Sequence, residues 1–146
     1  MKLTWCHNRL AIGSAFTGDT LDTLGNAGVT HLINCRRDPN YAKELEVLQG
    51  ITVLWNPIFD DGEPKPAEWF GKALDFALGA LASPRHKVCV CCFLGSNRSP
   101  SVALAILMAQ GWDFDDALQL VLKARPEAMV LYQDDAQNAV KMLGYC

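Results

Sequence analysis

The sequence predicts an α/β fold in which a mostly parallel central sheet is flanked by helices and the C-terminal half is helical. Three observations support this fold class. Short apolar or β-branched segments recur along the first two thirds of the chain, segments with helical spacing lie between them, and only helical patterns follow Arg98. Half of the 146 residues are hydrophobic, so we expect a single domain over residues 1–146 with a sizeable buried core.

Four segments are predicted to be strands because they are short and rich in apolar or β-branched residues. They are residues 10–12, 29–34, 51–55 and 88–92. The last of them is apolar almost throughout, which is typical of a strand covered on both faces. We therefore expect residues 88–92 to form a central strand.

Five segments are predicted to be helices. Residues 19–27 and 67–82 lie between strands, and the second has one apolar stripe made of Phe70, Ala73, Leu74, Ala77 and Leu81. Residues 100–110 are apolar nearly all round, which predicts a buried helix that Gly111 ends. Asp113 is the expected N-cap of the next helix, which Pro126 closes. The apolar residues on one face of that helix are Phe114, Ala117, Leu118, Val121 and Leu122. A last helix is predicted to turn Ala136, Ala139, Val140 and Leu143 inward.

Charge and composition disfavour several classes of protein. The net charge is −3 and no run of Lys or Arg occurs, which argues against a protein that wraps nucleic acid. The N-terminus lacks the apolar core of a signal peptide, and no apolar segment reaches the ~18 residues of a membrane span. Three of the six cysteines, Cys89, Cys91 and Cys92, crowd one predicted strand, which favours reduced thiols. We expect a cytoplasmic monomer without a membrane partner.

Residues 92–99 join the predicted central strand to the buried helix. Successive backbone N–H groups of such a turn can point at one anion, and the helix N-terminus adds positive potential there. Gly95 permits the tight curvature, and Arg98 can offer two parallel donors to a bound dianion. The residues predicted to bind phosphate are Phe93, Leu94, Gly95, Ser96, Asn97 and Arg98.

The donors that bind phosphate also stabilise a thiolate, so we expect Cys92 to be deprotonated at neutral pH and to act as a nucleophile. Ser99 can donate its hydroxyl to the sulfur and assist its departure in a second step. The alternative is a buried strand cysteine followed by a surface arginine. The catalytic interpretation is favoured because four features agree: the predicted strand before Cys92, the spacing from Cys92 to Arg98, the glycine at position 95 and the start of a helix directly after the loop.

The loop resembles the signature of the protein tyrosine phosphatase superfamily, in which His-Cys is followed by five residues, Arg, and Ser or Thr. The resemblance is to its small, atypical dual-specificity branch, and it extends to residues 10–14, 28–34, 69–76 and 111–126. It implies a protein tyrosine phosphatase-like fold, a shallow cleft, and hydrolysis of phosphotyrosine and phosphoserine or phosphothreonine through a phosphocysteine intermediate. Neither a metal nor a cofactor is expected, because fixed donors meet the phosphoryl charge.

Cleavage of an alkyl phosphate ester also needs a proton for the leaving oxygen. The acidic pair Asp60 and Asp61 lies between a predicted strand and helix, and Asp60 precedes Cys92 by 92 − 60 = 32 residues. That separation resembles the placement of the general acid in small dual-specificity members, so Asp60 is ranked above Asp61 as the acid. A solvated turn is the alternative for both.

Cys91 stands where the family usually has His, and this replacement is expected to slow turnover. Cys91 or Cys89 could protect an oxidised Cys92 by forming a disulfide with it, and Cys35 is an equally plausible partner for such a disulfide. The alternation of a strand, however, places Cys91 and Cys92 on opposite faces. The favoured interpretation of these other thiols is therefore core packing.

Several functions stay open. A weak or inactive phosphate-binding pseudophosphatase would keep the fold, and a non-protein phosphoester, such as an RNA 5′-phosphate or a phosphoinositide, is an alternative substrate. The uncharged loop side chains disfavour a phosphoinositide, whereas Arg36 and Arg37 could contact an acidic substrate. Sulfur transfer and arsenate reduction are disfavoured, because the placement of the loop two thirds along the chain, followed by three predicted helices, resembles the phosphatases instead. Expected partners are a phosphorylated protein or a small phosphoester, and oxyanion inhibitors such as phosphate, sulfate or vanadate.

Overall fold

A computed structural model describes residues 1–38 and 50–145 of the chain. Within those ranges there are five strands and five helices. The strands are β1 (Leu3–His7), β2 (Leu10–Gly13), β3 (His31–Asn34), β4 (Thr52–Trp55) and β5 (Val88–Cys91). The helices are α1 (Thr20–Ala27), α2 (Ala67–Leu81), α3 (Arg98–Ala109), α4 (Phe114–Ala124) and α5 (Gln133–Met142). None of the helices in the described ranges has the length and apolar character to cross a bilayer.

The five strands form one sheet in the order β1-β2-β5-β3-β4. β5 lies in the centre and pairs in parallel with β2 and β3, as its continuous apolar sequence predicts. β3 and β4 are also parallel, so the prediction of a mostly parallel sheet is confirmed. The register sets Gly13 and Asn34 beside Cys91, and the strands therefore end together at one edge. Ligands of open α/β sheets bind at such an edge.

The first strand was not predicted. β1 pairs antiparallel with β2, and Cys6 is its one buried residue. A strand held at the edge of a sheet by backbone pairing needs no continuous apolar pattern, so its sequence carries little signal. The other predicted strands are confirmed, with boundaries that differ by one or two residues.

Two hydrophobic clusters lie on opposite faces of the sheet. Side chains of β5 and of Cys92, which directly follows it, alternate between the clusters. Val88, Val90 and Cys92 belong to the cluster covered by α2 to α5, whereas Cys89 and Cys91 belong to the cluster covered by α1. The nucleophile predicted from the sequence therefore faces the larger helical layer.

The helices agree with the predicted apolar patterns, with one exception. Every residue of α3 from Arg98 to Met108 is buried, as expected for a central helix, and Asp113 accepts a hydrogen bond from the N–H of Asp116 at 2.8 Å as the N-cap of α4. The prediction that Leu143 turns inward is wrong, because 41 % of this residue is exposed. α5 ends at Met142, so Leu143 lies at the C-cap, where its side chain lies beside Gly71 of α2 but is only partly covered.

Candidate active site

Cys92 directly follows β5, and Ser99 lies in the first turn of α3. Both are buried, and the Cys92 Sγ is 3.0 Å from the Ser99 Oγ. Between them, the backbone N–H groups of residues 93–97 donate to no acceptor within the described ranges. The N-terminus of α3 also has no side-chain cap. Free donors and the positive end of a helix thus surround the thiol, an arrangement that favours an anion.

The Arg98 guanidinium is buried at the start of α3. Its Nη1 donates to the carbonyls of Ile58 and Cys35 at 3.0 Å and 3.4 Å. Its Nε, in contrast, is buried with no acceptor in the part of the chain that the structure describes. A buried donor without a partner is costly, and an oxyanion in the loop would supply that partner.

Gly95 is the point at which the loop turns most tightly. Its φ is +69°, and a Cβ built there would lie 2.9 Å from the Cζ of Arg125. Arg125 is 2 % exposed, and its Nη2 donates to the carbonyl of Lys2 at 2.7 Å. The buried Arg125 guanidinium therefore packs against the loop at Gly95. Sequence reasoning missed it, because nothing local distinguishes a buried arginine at a helix end from an exposed one.

Gly95→Ala is expected to reduce the free energy of unfolding by roughly 1–3 kcal/mol, because it adds a left-handed strain and a clash with Arg125. Gly79→Ala is the matched control, since a Cβ at that position in α2 meets no atom within 4 Å. The control should be more stable than wild type by about 0.5–1 kcal/mol. Urea unfolding measures both effects, and an unchanged midpoint for Gly95→Ala would contradict the prediction.

The neighbouring carboxylates Asp60 and Asp61 have different partners. The Asp60 Oδ1 accepts from the Tyr132 hydroxyl at 2.6 Å, and both its oxygens accept from the Asn97 Nδ2 at 3.3–3.4 Å. The Asp61 Oδ1 instead lies 2.5 Å from the Lys65 Nζ, and this hydrogen bond lowers the pKa of Asp61. The structure therefore brings Asp60, and not Asp61, to the loop that contains Cys92.

The segment between α4 and α5 forms hydrogen bonds with Ser96 and Asn97, the last two loop residues before α3. Val130 has φ +47°, a strained value for a β-branched residue, and its N–H donates to the Ser96 carbonyl at 3.0 Å. The N–H of Leu131 donates to the Asn97 Oδ1 at 3.1 Å. Strained backbone of this kind is common at functional sites. Sequence reasoning missed this segment, because its contribution comes from backbone groups.

The other thiols of the central strands differ in the face they occupy. Cys89 and Cys91 lie on the opposite face from Cys92, as the alternation of a strand predicts, and burial raises the pKa of Cys91. Cys35 lies on the same face as Cys92, and its N–H donates to the Cys91 carbonyl at 2.9 Å. Of the three thiols considered as oxidation partners, Cys35 is thus the one on the side of the nucleophile.

Apolar side chains and two arginines form the rim of the site. Five exposed apolar side chains belong to the loop or to segments bonded to it: Phe59, Phe93, Leu94, Met129 and Leu131. The Arg36 guanidinium lies 5.8 Å from the ring centroid of Phe93, and that of Arg37 lies 3.7 Å from the ring centroid of Phe59. The two arginines predicted at this edge of the sheet therefore lie beside the loop, stacked on aromatic rings.

Comparison with known proteins agrees with this geometry. Residues 10–134 match the family model described as dual specificity phosphatase, catalytic domain. The chain is 28 % identical over 120 residues to human dual specificity protein phosphatase 15, covering 82 % of this chain but 39 % of that protein. It is 29 % identical over 138 residues to human protein tyrosine phosphatase type IVA 3, covering 88 % of this chain and 76 % of the relative. The crystal structure of human DUSP28 superposes with a TM-score of 0.79 and 26 % identity, covering 97 % of each chain. The chain belongs to the dual specificity phosphatase family, as the match of the family model over residues 10–134 shows.

Proposed function

We propose that the chain is a cysteine-dependent phosphatase that hydrolyses phosphotyrosine and phosphoserine or phosphothreonine esters. The observation that carries this proposal is the arrangement around Cys92: a serine hydroxyl 3.0 Å from the Sγ, free N–H groups along the loop, and a buried arginine Nε without an acceptor. A tetrahedral phosphate dianion would accept from the loop N–H groups and the arginine Nε, while the serine hydroxyl donates to the sulfur.

In the first step the Cys92 thiolate attacks phosphorus, so that an S–P bond forms while the bond to the leaving oxygen breaks. Arg98 and the loop N–H groups bind the equatorial oxygens of the transition state. The Asp60 carboxyl gives its proton to the leaving oxygen. The product of this step is a phosphocysteine and the free alcohol or phenol.

In the second step the Asp60 carboxylate takes a proton from a water molecule that attacks the phosphocysteine. The S–P bond breaks and inorganic phosphate forms. The Ser99 hydroxyl donates a hydrogen bond to the departing sulfur, a role that its 3.0 Å distance from the Sγ supports. Each group of the site is thereby returned to its starting protonation state.

The rim supports a phosphorylated protein as the substrate. Exposed Phe, Leu and Met side chains surround the loop, and the loop side chains carry no charge other than Arg98. Such a surface complements the apolar side chains that flank a phosphorylated residue better than it complements an inositol ring or RNA. The five cysteines in the described ranges are free, which supports a cytoplasmic location.

Hydrolysis of p-nitrophenyl phosphate by the wild-type chain under reducing conditions tests the proposal, and vanadate should inhibit it. A panel of phosphotyrosyl and phosphoseryl peptides, a 5′-phosphorylated RNA and a soluble phosphoinositide then identifies the substrate class. We expect the peptides to react fastest. A wild-type chain that binds vanadate but hydrolyses none of these compounds would be a phosphate-binding pseudophosphatase instead.

Asp60→Asn is expected to reduce kcat for a phosphoseryl peptide by about 10²–10⁴-fold, the usual contribution of a general acid. The loss should be smaller with p-nitrophenyl phosphate, because a nitrophenolate leaves without full protonation. Asp61→Asn is the matched control and should be close to wild type, since Asp61 pairs with Lys65 rather than with the loop. The opposite result for the two variants would assign the acid to Asp61.

A further inference from the structure

Tyr132 directly precedes α5 and lies beneath the segment that carries Asp60. It is 1 % exposed, so its hydroxyl must find partners inside the protein. The hydroxyl accepts a hydrogen bond from the N–H of Gly62 at 3.0 Å and donates to the Asp60 Oδ1 at 2.6 Å. The bond to Gly62 settles the direction, because the single phenolic proton then points at Asp60.

Two further contacts attach the same segment to the start of α5. The N–H of Lys65 donates to the Asp135 Oδ2 at 3.0 Å, and the Lys65 Nζ lies 4.8 Å from the ring centroid of Tyr132 while it pairs with Asp61. Lys65 is itself buried. The backbone that follows Asp61 is thus fixed at Gly62 and Lys65 against Tyr132 and the start of α5, and the Lys65 side chain lies beside the Tyr132 ring.

Tyr132 keeps its proton over the pH range in which a phosphatase is assayed. Burial, and then the hydrogen bond with Asp60, raise the pKa of Tyr132 to about 12. The phenol is therefore a permanent donor to the Asp60 Oδ1. The Asn97 Nδ2 faces both carboxyl oxygens at the longer distances of 3.3–3.4 Å.

We propose that Tyr132 is a positioning residue for proton transfer. Its short hydrogen bond holds Oδ1 of the Asp60 carboxyl beside the phosphate loop, and Oδ2, which has only the longer 3.3 Å contact with Asn97 among the described residues, carries the transferred proton. This inference rests on the proposed function, in which Asp60 is the acid. In the transfer, the Oδ2–H bond breaks and the proton moves to the leaving oxygen as its bond to phosphorus breaks. The phenol does not react. The phenol fixes the orientation of the Asp60 carboxyl before the reaction, so that the carboxyl does not lose rotational freedom in the transition state.

Tyr132→Phe tests the inference, because it removes the hydroxyl and keeps the ring that packs against Lys65. We expect kcat for phenyl phosphate, whose leaving oxygen needs a proton, to fall about tenfold, the effect of one lost hydrogen bond to a charged group. The fall for p-nitrophenyl phosphate should be less than about threefold, and KM should hardly change for either. A purely structural role for Tyr132 would lower both rates alike.

Tyr145→Phe is the matched control. The Tyr145 hydroxyl donates to the Asp75 Oδ1 at 3.1 Å, which is also a phenol–carboxylate pair but lies away from the loop. This variant should leave the ratio of the two rates at its wild-type value. The thermal unfolding midpoint of each variant shows whether stability has changed along with the rates.

A double-variant cycle separates this inference from the proposed function. Adding Tyr132→Phe to Asp60→Asn should cause no further selective loss with phenyl phosphate, because the acid is already absent. An unchanged ratio in Tyr132→Phe, or a selective loss that persists in the Asp60→Asn background, would overturn the role of Tyr132 while phosphatase activity stands. Wild-type activity that does not depend on Cys92 would overturn the proposed function, and the role of Tyr132 with it.

Discussion

Cys92→Ser is expected to abolish hydrolysis of p-nitrophenyl phosphate, with kcat reduced by roughly 10⁴-fold or more, as when other enzymes lose their nucleophile. The hydroxyl that replaces the thiol would sit in the same loop, but an alcohol is not ionised near neutral pH and is a much weaker nucleophile. A steady-state assay under reducing conditions measures the effect. Since Arg98 and the loop N–H groups are retained, calorimetry should still detect binding of a phosphotyrosyl peptide.

Cys6→Ser is the control for this variant. Cys6 is a buried free thiol on β1, on the same face of the sheet as Cys92 but outside the loop. Burial raises its pKa to about 12, so it is not expected to be a nucleophile at neutral pH. Activity that survives in Cys92→Ser and is lost in Cys6→Ser would mean that the reaction does not use the phosphate loop.

Arg98→Lys is expected to lower kcat by about 10²–10³-fold, the usual cost of removing a donor that stabilises transition-state charge. The charge is conserved in this variant, but the planar fork is not. The guanidinium donates to the carbonyls of Ile58 and Cys35 through Nη1 and keeps a second buried donor, the Nε, without a partner in the described ranges. A lysine ammonium has no second donor group of this kind. Vanadate inhibition should weaken in parallel with kcat.

Arg9→Lys is the matched control, because Arg9 also donates to backbone carbonyls but lies away from the loop. Its Nη1 donates to the carbonyls of Ser83 and His86 at 2.6 Å and 3.1 Å, and its Nη2 to that of Leu81 at 3.0 Å. We expect Arg9→Lys to lower the unfolding midpoint and to leave kcat nearly unchanged. Equal losses of kcat in the two variants would assign Arg98 a structural role only.

The strands and helices that were predicted best from the sequence are those with an uninterrupted run of apolar residues. The apolar sequence of β5 and the all-round apolar sequence of α3 each specify burial by themselves, and both elements lie where they were expected. β1 was missed because backbone pairing with β2, rather than an apolar pattern, forms it. Leu143 was misplaced because periodicity predicts a face but does not show where the helix ends.

The supporting residues could not be predicted, because each acts on a part of the chain far away in sequence. Arg125 contacts Gly95 and donates to the carbonyl of Lys2, 123 residues before it. Tyr132 donates to Asp60 across 72 residues. Neither has a local motif, and a tyrosine or arginine beside a helix end is usually explained by packing or solvation alone.

By itself, the sequence determined the candidate nucleophile and its arginine, because Cys92, Gly95 and Arg98 lie on one uninterrupted turn between a strand and a helix. Short-range geometry is sufficient to relate such residues. Only the tertiary structure shows that Asp60 and Asp61, although adjacent in the sequence, have different partners: Asp60 contacts Tyr132 and the loop, and Asp61 pairs with Lys65. Lys65 is only four residues from Asp61 in the sequence. Tyr132, in contrast, reaches Asp60 across 72 residues, and it does so because it precedes α5, which packs against α2 and α3.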